Sequence, residues 1–343
     1  MEIKEIKDKN IWEEFVSLSS YAYFNQSWQW GEFERKGLGK KIFRIGFWDR
    51  EKLVAVCLCV EEISRFGKFI YCPRGPILRW EDRGIRESVV RLLIDYFRSK
   101  KYFCLRVDPA ILKTKDDIIN TFYNLGFRDA VNFIQAERVW ILDIEGKSEE
   151  ELMQGMRKKA RYTLKQAMKK DFDVGISSNL EEFKTFVDIL DDISIKKNFP
   201  TVSKDYLIQQ FKILGDFFRF FYAKYQDEIV AGGFFSFYGN ESAYLRGAMS
   251  DNPSSSEASY LVQWEAIKYA QELGMKRHNF WGVAEDKNYH PGYPAFGYSK
   301  FKKGFGGYVE EYMRTKDFVY NMVKYRMLRL NEGYRKIKYR GCN

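Results

Sequence analysis

The chain has 343 residues, 45% hydrophobic and 17% aromatic, which is enough for one large or two medium domains with real cores and excludes a disordered chain. Lys and Arg exceed Asp and Glu by 57 to 47, a net charge of +10 that favours polyanionic partners such as tRNA, a nucleotide diphosphate or an anionic membrane face. No apolar run approaches the roughly 18 residues of a spanning helix and the polar start MEIKEIKDKN does not read as a signal peptide, so a cytoplasmic chain is expected.

Taken in order, a helix around Asn10 to Leu18 leads into NQSWQWGEFERKGLGKK, where Trp28, Trp30 and Phe33 precede a basic glycine loop. A hairpin follows: IFRIGFWD, a turn near Arg50 and Glu51, then KLVAVCLCVEEI, both strands rich in β-branched and aromatic residues. The cysteines Cys57, Cys59, Cys72, Cys104 and Cys342 are odd in number and mostly lie in apolar runs, so reduced core thiols are expected. Cys57 and Cys59 lack zinc spacing and there are two histidines, so no metal site of protein ligands and no cofactor are expected. FIYCPRGPIL reads as a strand interrupted by Pro73 to Pro76, and Ile85, Val89, Leu92 and Tyr96 mark a helix that leads into the strand YFCLRVD, with Asp108 at its end.

A short helix through Ile118, Phe122 and Leu125 stops at Gly126, and VWILDI reads as the next strand. Ser148 and Glu151 are spaced as a capping box for the helix that follows. Between Met156 and Lys170 this helix carries seven basic residues, among them Arg157, Lys158, Lys159 and Arg161, and no acidic one. A solvated face and a phosphate-tracking surface for RNA both fit that pattern.

The second half repeats the first. RFFYAKYQDEIVAGGFFSF matches IFRIGFWDREKLVAVCLCV, with Val230 and Ala231 lying 176 residues after Val54 and Ala55, and Lys276 lies 176 after Lys100 at a helix-to-strand junction. Duplication of an α/β (α+β) domain with a mixed sheet, a hairpin and a crossover helix is expected. The helix through Tyr260, Trp264, Ile267 and Ala270 stops at Gly274, HNFWGV reads as a buried strand, and a loop punctuated by Pro291, Gly292, Pro294 and Gly297 runs into FKKGFGG. Two lysines beside glycine-rich backbone suit an anion or a developing negative charge. After Asp317 the chain closes in a basic helix with Lys324, Arg326, Arg329, Arg335, Lys336, Lys338 and Arg340. It suits RNA or the inner face of an anionic membrane, beside the plain reading of a solvated helix.

QSWQWGEF, YCPRGPIL, RVWILDI followed by MRKKARYTLKQAMKK, then YLVQWEAIKYAQELG and FGYSKFKKGFGG, in this order across nearly the whole chain, resemble the Fem aminoacyltransferases. The resemblance implies two tandem N-acetyltransferase-like domains, divided here at 1–146 and 147–343 with the basic C-terminal helix in the second. It also implies transfer of an amino acid from aminoacyl-tRNA to the stem-peptide amine of a nucleotide- or lipid-linked peptidoglycan precursor. The compact branch, without a helical-hairpin insertion, is the better match, and a monomer is expected. Lys302 matches the family's catalytic lysine, with Lys303 as its solvated competitor, and Phe301 is placed to stack on the terminal adenine or to belong to the core. Asp108 matches an acidic residue at the acceptor site, or else is a strand-end Asp held by an Arg. Lys36 matches a lysine that grips the precursor diphosphate. Where the family has an arginine as its second-domain counterpart, this chain offers Lys196 or Lys197 near Phe199, which keeps the charge and loses the bidentate fork. Tyr244, Arg246 and Tyr260 lie in family-like segments.

The reaction itself asks for an amine that loses a proton, an activated ester, and a group that stabilises the oxyanion. No Ser-His or Cys-His pairing is evident, and neither His278 in its strand nor His290 in its loop is favoured as a base. An acyl-CoA N-acyltransferase of the same fold is the rival reading, against which no Arg/Gln-x-x-Gly-x-Gly/Ala pyrophosphate loop is found. A non-enzymatic RNA or membrane binder leaves FKKGFGG without a use.

Overall fold

In the computed structural model, which describes residues 1–196 and 201–338, the chain divides into two compact units: Met1–Glu137 with residues 311–338, and Arg138–Glu310. Lys197, Phe199, Arg340 and Cys342 lie outside the described residues.

The first unit opens with β1 (Glu2–Glu5), α1 (Lys9–Ser17) and α2 (Trp28–Glu32), followed by the hairpin β2 (Ile42–Asp49) and β3 (Lys52–Ser64). Next come β4 (Gly67–Cys72), β5 (Ile77–Leu78), α3 (Arg83–Arg98), β6 (Cys104–Val107), α4 (Asp116–Asn124) and β7 (Arg128–Asp129). The second unit begins at β8 (Arg138–Asp143), then α5 (Glu149–Gly155), α6 (Lys158–Ala167), β9 (Asp173–Ser177), α7 (Leu180–Lys196) and α8 (Lys204–Ile213). It continues through β10 (Phe218–Tyr225), β11 (Glu228–Tyr238), β12 (Glu241–Met249), α9 (Ser255–Glu272), β13 (Arg277–Gly282), α10 (Phe296–Gly304) and β14 (Tyr308–Glu311). The chain then returns to the first unit with β15 (Lys316–Val319) and α11 (Met322–Lys338).

The two sheets have the same order. In the first it is β1-β2-β3-β4-β6-β15-β7, with β5 beside β3; in the second it is β9-β10-β11-β12-β13-β8-β14. Equivalent pairs are parallel in both, β4 with β6 and β12 with β13. The hairpin ladders shift register between Phe47 and Trp48 in one unit and between Ala223 and Lys224 in the other, again 176 residues apart. Duplication therefore extends to an irregularity of the ladder.

Each unit buries one crossover helix on its sheet. Asp82 caps α3 by accepting from the Ile85 amide, and Val89, Val90, Leu93, Ile94 and Phe97 line its buried face. In the second unit α9 buries Leu261, Val262, Trp264, Ile267 and Ala270. Burial of each large side chain of this kind contributes about 1.5–3 kcal/mol, which fixes these helices against the strands.

The division at residue 146 and the grouping of the C-terminal helix with the second half both differ from the structure. VWILDI, placed by sequence order in the first domain, forms β8 between β13 and β14 of the second sheet, while β15 fills the equivalent slot between β6 and β7 of the first. Each sheet thus takes this strand from beyond the segment that supplies its other strands. The buried Arg106 guanidinium forks onto Asp317 of β15 at 2.7 and 2.9 Å and also bonds Glu332 of α11, which ties the end of the chain to the first sheet. The single basic helix expected after Ser148 is two helices. The capping box at Ser148 and Glu151 is present, and the chain turns at Met156 and Arg157 before α6 starts.

Candidate active site

In the second unit the parallel strands β12 and β13 pair only over Glu241–Ala243 and Arg277–Asn279. Beyond that point they separate, and two irregularities accompany the separation. Against β11, Phe234 faces Arg246 and Phe235 faces Tyr244, so Leu245 is an extra residue that bends β12. In β13 the ladder with β8 shifts between Asn279 and Gly282, where Trp281 adopts φ +65° and its amide is held by the Asn279 side chain at 2.7 Å. A residue other than glycine in that region stores strain, which such sites tend to carry.

Helix α10 packs onto the end of β13 at this opening. The segment FGYSKFKKG, which the sequence reads as the end of a loop, is helical, and Ser299 and Lys302 share one helical face and both bond the strand end. Ser299 Oγ accepts from the Ala284 amide at 2.9 Å, and Lys302 Nζ donates to the Gly282 carbonyl at 2.7 Å. The ammonium also lies 5.1 Å from the Tyr298 ring centre and 5.9 Å from that of Tyr244.

Burial, with the Arg246 charge as a second cause, lowers the pKa of Lys302 to about 7. Arg246 is itself lowered by burial and donates to the Leu245 carbonyl at 2.7 Å, with Tyr206 of α8 near enough to act on it electrostatically. Among the described residues no carboxylate pairs with Lys302 or with Arg246. Two cations in a desolvated opening without a counter-ion form a place for an anion or a developing negative charge. Tyr244 stacks on Phe235 with ring centres 5.0 Å apart, and Gly247 is required beside it, because a Cβ there would sit 1.5 Å from the Tyr244 hydroxyl.

Lys303 is not solvated. It is buried, with Nζ 4.1 Å from the Tyr289 ring centre, 5.4 Å from that of Trp140 and 3.5 Å from Asp286 Oδ1. One helical step takes it about 100° round α10 into an aromatic cage. Phe301 and Tyr260 are half-buried and pack on each other and on Phe305, with Tyr260 stacked on Phe305 at 5.4 Å. Arg157, Lys158 and Lys159 are exposed at the start of α6, which the Arg157 amide joins to α10 by donating to the Gly304 carbonyl at 2.9 Å. Arg161 reaches the Gln154 carbonyl, and no carboxylate among the described residues pairs with these four. Lys196 is exposed and paired with Asp251. His278 is a core residue: Ser242 and Gln263 hold its two ring nitrogens at 2.8 and 2.7 Å, and burial lowers it to about 3.

The equivalent opening of the first unit is closed by its own side chains. Asp108 follows β6, fully buried, with Tyr71 Oη donating to Oδ2 and the Arg74 amide to Oδ1, each at 2.7 Å. The Arg74 guanidinium donates to the Asp108 and Ala136 carbonyls and sits 5.1 and 5.0 Å from the Tyr23 and Tyr312 ring centres. Burial raises Asp108 to about 6 against the opposing pull of Arg74. Asp108 thus stands at the end of its strand with its carboxylate held by Tyr71 and the Arg74 amide. Lys36 is exposed and ion-paired to Glu32 at 2.9 Å, beside Arg35 and Arg44 on the same carboxylate. Burial works against that carboxylate, yet hydrogen bonds from the three cations hold Glu32 at about 2.

The thiols of Cys57, Cys59 and Cys72 lie within 4.8 Å of one another, a grouping that spacing did not reveal because Cys72 arrives from the neighbouring strand. They are wholly buried; burial raises Cys59 and Cys72, while hydrogen bonds from those two thiols lower Cys57 to about 6 against its own burial. No helix among the described residues is long and apolar enough to cross a membrane.

Gly282, Trp281, Ser299 and Tyr206 at this opening were not named individually from the sequence, although the first three lie in the run from Trp281 to Tyr308 that leads into FKKGFGG. Of these only Ser299 had a legible signal, three positions before Lys302 on a helical face.

The sequence model of the FemAB family matches residues 8–224 and 215–332. "Aminoacyltransferase FemA" of Staphylococcus epidermidis is 22% identical over 88% of this chain and 92% of its own length. "Lipid II:glycine glycyltransferase" of Staphylococcus haemolyticus is 23% identical over 75% of this chain and 78% of its own. The crystal structure of FemX superposes with a TM-score of 0.85 at 18% identity, covering 96% of this chain and 100% of that one. A tandem GNAT protein from the clavulanic acid biosynthesis pathway superposes with a TM-score of 0.58 at 11% identity, covering 93% and 98%. The fold is that of two tandem GNAT-like domains.

Proposed function

This chain belongs to the FemAB family, and from that premise we propose that it is an aminoacyltransferase of peptidoglycan bridge formation, moving an amino acid from aminoacyl-tRNA to a stem-peptide amine. The observation that carries the reading is the pairing of Lys302 with Arg246 at the β12–β13 opening, two cations with no acidic partner among the described residues.

The acceptor amine attacks the ester carbonyl, its C–N bond forms, and the carbonyl oxygen takes the negative charge. Lys302, held at a fixed angle by the Gly282 carbonyl, has two further N–H donors for that oxygen or for the departing ribose oxygen. Collapse breaks the ester C–O bond, and the proton lost by the amine ends on the ribose hydroxyl. A low-dielectric setting lets a cation act strongly on charge that exists only in the transition state.

The face of exposed Arg157, Lys158 and Lys159 and half-buried Arg161 has the charge to track the tRNA backbone. Lys36 is assigned to the precursor diphosphate, which would compete with Glu32 for its ammonium. Lys196 would have to leave Asp251 to help it. Asp108 is assigned a positioning role, holding Tyr71 and Arg74. The lipid II in the name of the staphylococcal glycyltransferase makes a lipid-linked acceptor the first choice.

The test incubates the protein with labelled aminoacyl-tRNA, acetyl-CoA and nucleotide- or lipid-linked precursors. Label moving from aminoacyl-tRNA to the precursor in the wild type and not in Lys302→Ala supports the reading. Acetyl transfer without aminoacyl transfer would replace it by the acyl-CoA reading.

A further inference from the structure

Helix α11 is fixed to the first unit by one face and bare on the opposite one. Tyr325 and Leu328 are buried, the Tyr325 hydroxyl donates to Asp317 at 2.9 Å, and Glu332 accepts from Arg106 at 2.8 Å. On the far side Val323, Met327, Leu330 and Tyr334 recur at steps of four, three and four residues, a single helical stripe. They are 65%, 46%, 76% and 68% exposed, values that packing does not explain for such residues. The stripe is about 16 Å long at 1.5 Å per residue.

Exposed Lys324, Arg326 and Arg329 flank it, and none pairs with a carboxylate among the described residues. The tip of the β3–β4 hairpin lies alongside: Arg65 donates to Asn331 at 2.8 Å, and Ile63 is 75% exposed.

We propose that this face of α11 docks on an anionic lipid bilayer, lying in the plane of the interface with the stripe among the acyl-chain ends and the cations at the headgroups. An apolar stripe edged by unpaired cations is the pattern of an interfacial helix. RNA would use the cations and leave the aliphatic side chains in water. A second copy of the same face would set Arg326 and Arg329 against like charges. The net charge of +10 adds long-range attraction to an anionic surface. The inference extends the proposed lipid-linked acceptor, since such an acceptor would lie in the same interface; the test reads binding, so its failure and that of the proposed transfer are distinguishable.

The experiment is flotation of the full chain with vesicles of phosphatidylglycerol and phosphatidylcholine, or of phosphatidylcholine alone, at low and high salt. Wild type should float with the anionic vesicles. Val323→Ser/Leu330→Ser and Arg326→Glu/Arg329→Glu should each lower that partitioning roughly tenfold or more. Both variants should keep the wild-type melting temperature, because these side chains face solvent, and should transfer to a water-soluble precursor as wild type does.

Equal flotation of the serine variant and wild type would overturn the proposal, as would wild type that stays unbound. A serine variant that changes only the sedimenting mass would assign the face to self-association instead. A glutamate variant that loses only tRNA affinity would assign it to RNA. Wild type that floats but transfers nothing from aminoacyl-tRNA would sink the proposed function and leave the docking face standing.

Discussion

The Lys302 ammonium and the Gly282 carbonyl meet at 2.7 Å where β12 and β13 part, and among the described residues the charge that acts on that ammonium is a like one, Arg246. Such a site is held at a cost in stability. With its pKa at about 7 in the folded chain against an ordinary 10.5, Lys302 leaves the native state with fewer bound protons than the unfolded one between those values. The penalty is therefore fully present below pH 7 and fades as pH rises to 10.5. Lys302→Met should raise unfolding stability by about 2–4 kcal/mol at pH 6 and by little near pH 10. Urea titrations at the two pH values would show it, and an equal effect at both would refute the buried ammonium. The same residue's removal as Lys302→Ala should lower single-turnover transfer by roughly 10²–10³ at saturating precursor, as for loss of one oxyanion donor.

Lys303 should separate from Lys302 by the kind of damage it does. Lys303→Ala empties the cage of Tyr289 and Trp140 and leaves Asp286 with Arg138 alone, so a stability loss of about 1–2 kcal/mol is expected with transfer reduced far less than in Lys302→Ala. Melting curves and single-turnover rates measured on both variants decide it. Equal kinetic impairment would mean that Lys302 is not the acting cation.

Gly247 sets the place of the Tyr244 ring. A methyl group there would lie 1.5 Å from the hydroxyl and 2.4 Å from Cζ, so Gly247→Ala must push the ring away or strain β12. Destabilisation of about 1–3 kcal/mol and loss of transfer are expected. Gly247→Ala/Tyr244→Ala, which removes the clash, should melt later than the single Gly247→Ala variant without regaining activity. Wild-type melting and transfer in Gly247→Ala would show that the ring has no fixed role.

Asp108 gives the first unit a pH signature of its own. Burial raises it to about 6 from an ordinary 3.8, so its protonated form favours the folded state. That stability is fully present below the unfolded pKa and is lost as pH rises through about 6. Wild type should lose about 1–3 kcal/mol from this group between pH 4 and pH 7. Asp108→Asn should flatten that part of the profile, and a variant profile parallel to wild type would place the titration elsewhere.

Lys36 offers a test of the diphosphate assignment. Lys36→Met should weaken calorimetric binding of a nucleotide-linked precursor by about 1–3 kcal/mol with the fold intact, the range for a charge-assisted hydrogen bond. Unchanged affinity would return Lys36 to its surface ion pair with Glu32.

The hairpins were legible because alternation and β-branched runs are local signals, and residues 42–64 and 218–238 carry both. Partners of isolated strands were not. The strand KDFV was not read from the sequence, being four residues long, and nothing local shows that it inserts beside Cys104–Val107, where Arg106 meets Asp317 211 residues away. FGYSKFKKG was not legible as a helix because prolines and glycines precede it and glycines follow it, while Ser299 and Lys302 bond the end of β13, a partner local sequence does not show. Nor does residue type announce the extra Leu245 or the positive φ of Trp281, since neither residue prefers such a backbone. The sequence thus singled out Lys302, Tyr244 and Arg246 but not the opening of β12 and β13 that brings them together.

The placement of β8 and β15 also orders the molecule's assembly on the ribosome. β8 emerges before the rest of its own sheet, so the second unit has every strand available once Glu311 has been made. The first unit, although translated earlier, waits for Val319 to separate β6 from β7 and for Asp317 to neutralise Arg106. The half synthesised first is completed last. Its nascent form exposes the edge of β6 throughout synthesis of the other unit, an interval in which chaperone binding and truncation products should concentrate on Met1–Glu137.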